Sequence, residues 1–227
     1  MEFFEMTDLG LMTYFLGMEI KQNDYEVFIC QKKYAKEILK KFEFEECKDM
    51  STLMSSREKL FKEDGTEKID QAYFRSMIGC LMYLTAIRSD ILNIVSIFSR
   101  FMHCTSEWHL NAAKRVLRYV KGTSDFDIKI TRIKEFKLLG FSDSYWGGSI
   151  NDMKSTSGYC FTIGSGVFSW SLKKHEIVAQ STAEAEFVAA TTTVNQALWL
   201  RTILTDLNME QGESTQILVI YIVVIMA

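Results

Sequence analysis

Two acids stand where their types and spacing allow chemistry. Asp143 closes the apolar run GFSD (140–143) and precedes the turn YWGG (145–148). Glu186 lies in STAEAEFVAAT (181–191), on the first turns of a helix starting at Ser181. A carboxylate at a strand end can face a ligand while the strand fixes its position. The same aspartate also reads as an ordinary turn initiator. Glu184 has a structural explanation, because STAE (181–184) is a capping box. Glu186 has none, and is either a solvated surface group or a positioned acid. Two carboxylates on separate elements suit Mg²⁺, which binds one or two carboxylates plus waters and substrate phosphate. Two such ions, about 3.5–4 Å apart, activate water and stabilise the leaving oxygen in phosphodiester cleavage. That chemistry normally takes three or four carboxylates, and only two are well placed. His103, His109 and His175 form no triad with a nucleophile, and His175, after Lys173 and Lys174, reads as exposed. Glycine-rich phosphate loops are absent.

A second constellation lies in SEWHLNAAKRVLRYVKG (106–122). Lys114, Arg118 and Lys121 share one face of a helix at i, i+4 and i+7, with Arg115 beside them. The stretch 100–134 holds eight lysines and arginines against three acids. Such a face either contacts phosphates or is simply solvated.

These residues need elements to hold them. The stretch 11–31 reads as a hairpin around Gln22–Asp24. A short amphipathic helix follows at 32–44, with Tyr34, Ile38, Leu39 and Phe42 as its apolar stripe. A polar connector (45–68) leads to helices at 70–87, 90–103 and 106–122. Ser106 starts the last and Gly122 stops it; Ala113, Val116, Leu117 and Val120 form its buried face. The period then changes to two. Consecutive strands are expected at 126–132, 136–143, 155–164 and 167–172, with a hairpin turn at Gly164–Gly166. A long helix (181–207) follows, burying Phe187, Ala190, Val194, Ala197, Leu198 and Leu204, and a buried strand (216–225) closes the pattern. The implied class is α/β (α+β), with an α/β unit beginning near 124–136.

Composition narrows the alternatives. The chain has 227 residues, 48% hydrophobic, with a net charge of −3, enough to bury real cores and unlike a disordered tail. Five scattered cysteines fit a reducing compartment better than a disulfide scaffold or a zinc site. The N-terminal stretch has no signal-peptide form, and the apolar run at 217–227 is too short to span a membrane, so a cytoplasmic or nuclear location is expected. Proline is absent, where average usage of roughly 5% would give about 11.

Over residues 5–219 the chain resembles the C-terminal part of the Pol polyprotein of copia-type LTR retrotransposons. ICQKKYA (29–35), YFRSMIGCLMYLTAIRSDI (73–91), SRFMHCTSEWHLNAAKRVLRYVKGT (99–123), GFSDSYWGGSINDMKSTSGYCFTIGSGVFSWSLKKHEIVAQSTAEAEFVAAT (140–191) and QALWLRTIL (196–204) stand in family order. The resemblance implies a reverse transcriptase fragment over 1–123, comprising the palm end, thumb and connection. It implies a ribonuclease H-like domain over 124–227, ending short. That family hydrolyses the RNA strand of RNA–DNA hybrids with two Mg²⁺ ions held by four acids. Asp143 matches the first acid and Glu186 the second. The resemblance also implies hybrid or single-stranded nucleic acid as the partner, held through Lys114, Arg115, Arg118 and Lys121.

The departures from the family pattern bear on activity. The polymerase aspartates belong to a strand upstream of this sequence. A third acid is expected after QILV (216–219), where the chain reads IYIVVIMA, and the fourth has no counterpart. The change reads as a frameshift followed by a stop. Tyr145 stands where the family has another aspartate, and Leu53, Ser89 and Thr105 where it has proline. The expectation is a decaying copy with hydrolysis lost. A non-catalytic nucleic-acid-binding remnant and a pseudogene product without activity are the alternatives.

Overall fold

A computed structural model describes residues 10–54, 60–62, 65–132 and 137–219. The parts of the expected connector and strands at 55–59, 63–64, 133–136 and 220–225 lie outside the described residues. The chain opens with β1 (Tyr14–Phe15), β2 (Met18–Gln22) and β3 (Glu26–Cys30), paired antiparallel in succession. The hairpin expected around Gln22–Asp24 is β2–β3. Its turn is set by Asn23, whose Oδ1 accepts the N–H groups of Tyr25 and Glu26 at 2.9 and 2.8 Å. β1 adds a tighter reversal that the sequence reading did not resolve. Leu16 and Gly17 make it at φ of 45° and 75°.

The main core is helical. It comprises α1 (Lys32–Lys41), α2 (Gln71–Leu84), one 3-10 turn (Ser89–Ile91), α3 (Leu92–Ser99) and α4 (Glu107–Gly122). Phe74, Met77, Ile78, Leu81, Phe98, Val116 and Leu117 are fully enclosed between them. The buried face of α4 includes Ala113, Val116, Leu117 and Val120, as its periodicity indicates. Caps fix the ends. Asp70 accepts the N–H of Ala72 at 2.8 Å to start α2. Ser106 starts α4 in a capping box whose third-position partner is His109, a role usually taken by Glu or Gln. Arg88, after α2, donates to both carboxylate oxygens of Asp90 (2.9 and 2.7 Å) and to the carbonyl and hydroxyl of Thr123 (2.9 and 2.6 Å). This knot joins the end of α2 to the end of α4.

β4 (Ile128–Thr131) does not join the strands that follow it, as its period-two pattern suggested. It pairs antiparallel with β3, Val27 opposite Ile130, and completes a sheet of order β1-β2-β3-β4. Alternation specifies a strand but not its neighbour, and β3 would otherwise present an unpaired edge.

The second sheet comprises β5 (Leu138–Tyr145), β6 (Thr156–Ile163), β7 (Gly166–Lys174) and, after α5 (Thr182–Asp206), β8 (Gln216–Val219). Its order is β7-β6-β5-β8, antiparallel except for the parallel β5–β8 pair. α5 lies on this sheet through Ala185, Ala189, Thr193, Ala197, Leu200 and Leu204. The expected stripe was partly wrong: Phe187 is 74% exposed, and Val194 and Leu198 also face outward. Small residues at spacing four let the helix backbone approach the strands, and the bulkier side chains fall on the far side. The helical core meets this sheet at β7, where the Trp170 indole donates to the Thr85 carbonyl at 3.1 Å. Arg100 reaches the Thr156 hydroxyl at 3.2 Å. The described residues form two sheets and five α-helices, a mixed α+β architecture.

Candidate functional site

Asp143 sits near the end of β5, an interior strand of the second sheet. Ser142, one residue earlier, is buried under α5 and accepts a hydrogen bond from the Thr193 hydroxyl at 3.0 Å. Glu186 is seven residues before Thr193 on the same helix, two turns towards its start. The turn beyond β5 is tied to the segment leading into α5, because the Trp146 indole donates to the Ala179 carbonyl at 2.8 Å. The double glycine of that turn has a steric cause. Gly147 adopts φ of 60°, and a Cβ on Gly148 would fall 2.0 Å from the Tyr145 ring.

The two acids are within electrostatic reach of each other. Burial raises the Asp143 pKa, and the negative charge of Glu186 raises it further, against a lowering hydrogen bond from the Ser144 N–H at 2.8 Å. Alternation along β5 places Asp143 on the face opposite Ser142, near the end of the strand. Neither donates to the other: Glu186 has no hydrogen bond or ion pair with a described residue, and both side chains are partly exposed. β8 runs parallel to β5 with Val219 opposite Ser142, one position short of Asp143. Residues 220–227, IYIVVIMA, lie outside the described residues and contain no acid. Among the described residues no group of three His, Cys, Asp or Glu side chains is gathered to hold a metal ion.

Two neighbouring readings change. Glu184 accepts the N–H of Gln180 at 2.7 Å, one residue before the cap, while Ser181 accepts the N–H of Glu184 at 3.1 Å. His175 is buried, not exposed: its Nε2 contacts the Ser157 hydroxyl, and its N–H donates to the Ser155 carbonyl at 2.8 Å. Burial holds its pKa below the usual histidine value.

The four basic residues of α4 divide into two pairs. Arg115 donates to the carbonyl and hydroxyl of Thr52 at 3.2 and 2.6 Å, and Lys121 to the carbonyl of Cys47. These two side chains clamp the connector 47–52 onto the helix. Lys114 and Arg118 make no side-chain hydrogen bond or ion pair with a described residue. They line a cavity of about 300 Å³ together with Met50, Trp108, Asn111, Ala112 and Arg115. The sequence reading did not identify Trp108, although it shares the i, i+7 and i+10 line with Arg115 and Arg118. All five cysteines are free. Among the described residues no helix is long and apolar enough to cross a membrane.

Comparison with known proteins identifies relatives of this chain. The chain is 34% identical over 197 residues to the retrovirus-related Pol polyprotein of transposon RE2 from Arabidopsis thaliana, covering 87% of this chain and 14% of that protein. It is 33% identical over 219 residues to the Pol polyprotein of transposon TNT 1-94 from Nicotiana tabacum, covering 92% of this chain and 16% of that protein. An uncharacterised mitochondrial protein of Arabidopsis thaliana is 38% identical over 197 residues, covering 86% of this chain and 81% of the mitochondrial protein. The chain belongs to the copia-type retrotransposon Pol family. It spans only 14–16% of the length of the Pol polyproteins it matches. No family model matches it, and no solved structure matches it significantly.

Proposed function

We propose that this retrotransposon-derived chain is a nucleic-acid-binding remnant of a ribonuclease H-type enzyme, with residues 124–227 corresponding to the nuclease part and 1–123 to a reverse transcriptase fragment. The observation that carries the reading is the pair Asp143 and Glu186. Asp143 stands near a strand end and Glu186 on the first turns of the helix packed on that sheet, and after burial the charge of Glu186 helps to raise the Asp143 pKa. A carboxylate pair of this kind fits one Mg²⁺ ion completed by water. Asp143 and Glu186 would hold it, and an ion there would polarise a phosphate oxygen. The resemblance calls for a third acid directly after QILV (216–219), where Ile220 stands, and the remaining chemistry of hybrid hydrolysis lacks that ligand. The protein's own residues therefore bind substrate and leave it uncut.

Binding rests on α4, where Lys114 and Arg118 offer unpaired positive charge and Arg115 and Lys121 hold the adjoining connector. Titrating a labelled RNA–DNA hybrid with the protein at increasing salt tests this. Affinity that falls linearly in log–log form with salt, independent of sequence, is the expected result. An unmeasurable affinity at low salt refutes the binding half of the reading.

A further inference from the structure

The cavity beside α4 has a composition that the nuclease site does not explain. Its lining carries three cations, Lys114, Arg115 and Arg118, and no carboxylate. Trp108 forms the apolar wall with Met50 and Ala112, and Asn111 contributes an amide. Trp108 is half-buried against the helical core, so its ring is held in place while part of it stays open. The connector that borders the cavity is fixed as well. The Met50 N–H donates to the Arg118 carbonyl at 3.3 Å, and Arg115 grips Thr52 twice. Of the three cations, only Arg115 is already committed to protein acceptors.

We infer that this cavity is a subsite for one unpaired nucleotide of a single strand, its base stacked on Trp108 and its phosphates held by Lys114 and Arg118. The volume, about 300 Å³, is at the small end of ligand pockets and takes a single base rather than a duplex. Base–aromatic stacking beside a cationic track is the usual physics of sequence-neutral single-strand binding. From Trp108 to Arg118 the helix advances about 15 Å, enough for the strand to run along the same face. Arg115 and Lys121 then act as struts, not as phosphate ligands. Asn111 is placed to reach a base edge.

The subsite rests on the nucleic-acid reading above, and the test separates the two. The full 227-residue protein is titrated with a labelled oligothymidylate, with an abasic strand of equal length, and with a hybrid duplex. The stack predicts that oligothymidylate binds roughly 5- to 150-fold more tightly than the abasic strand, and that Trp108→Leu removes this preference. Replacing Lys114 and Arg118 by Gln lowers the salt slope by about 1.4, the value of two single-strand phosphate contacts. Equal affinity for the oligothymidylate and abasic strands overturns the subsite even if Trp108→Leu fails to fold. Binding of the hybrid alone also overturns it while leaving the nucleic-acid reading intact. If neither single strand nor hybrid binds, both fail.

Discussion

Replacing Arg88 by Met breaks the knot between α2 and α4 while keeping a side chain of similar length. Arg88 is 4% exposed and makes four hydrogen bonds, two to Asp90 and two to Thr123. Its loss leaves the Asp90 carboxylate with the Tyr119 hydroxyl, at 2.8 Å, as its remaining side-chain partner. Removing one member of a buried ion pair costs about 3–5 kcal/mol. The Asp90 side chain is 32% exposed, so water recovers part of its solvation and the lower end of that range applies, about 3 kcal/mol. That is a large share of a typical total of about 5–15 kcal/mol. Urea denaturation followed by circular dichroism should show a lower midpoint at unchanged slope. Adding Asp90→Asn should restore more than about 1 kcal/mol, because the uncompensated charge is gone. A loss below about 1 kcal/mol for Arg88→Met, or strict additivity in the double variant, refutes the account of the knot.

Other outcomes follow from the same structure. Burial works to raise the Asp90 pKa, but hydrogen bonds and the charge of Arg88 outweigh it and hold the group below its usual range. Asp152 likewise resists its own desolvation through Lys174 and is lowered to about 2. Both are depressed carboxylates, so their stabilisation is present above an unfolded pKa of about 3.9 and lost as pH falls through the folded values. Acid titration of stability should show this loss below about pH 4, and Arg88→Met should shrink it. Asp143 has the opposite sign: its raised pKa means that ionisation opposes folding. Asp143→Asn should therefore raise the melting temperature at pH 7, and the gain should narrow towards pH 4, as differential scanning calorimetry at the two pH values would show. Gly140→Ala places a Cβ 2.7 Å from the Phe161 ring and 3.3 Å from Ile217, and should cost about 1–3 kcal/mol in the same urea assay.

The legible and illegible parts of the sequence divide along physical lines. Local signals held: Ser106 and Ser181 cap the helices they were expected to start, and the apolar stripe of α4 is its buried face. Non-local partners were not written into any short window. The alternation at 128–131 announces a strand, but only the free edge of β3 decides where it pairs. The stripe of α5 misled because bulk was read as burial, whereas close approach to β5 selects Ala185, Ala189 and Ala197. His175 follows two lysines and so looks solvated, yet its backbone continues the pairing beside β6 and carries the ring inside. In the candidate region, the places of Asp143 near a strand end and Glu186 near a helix start were readable. The split of the basic face was not, because it depends on where the distant connector 47–52 comes to rest.

A hybrid held by the basic face of α4 should be left uncut by Asp143 and Glu186, and a hybrid-cleavage assay tests this most directly. The purified chain and its Asp143→Asn variant are incubated with a labelled RNA–DNA hybrid and Mg²⁺, at protein concentrations where the hybrid is bound. The account predicts intact RNA with both proteins. RNA cleaved by the unaltered chain and spared by Asp143→Asn would contradict it, and would mean that another group completes the site opposite Glu186.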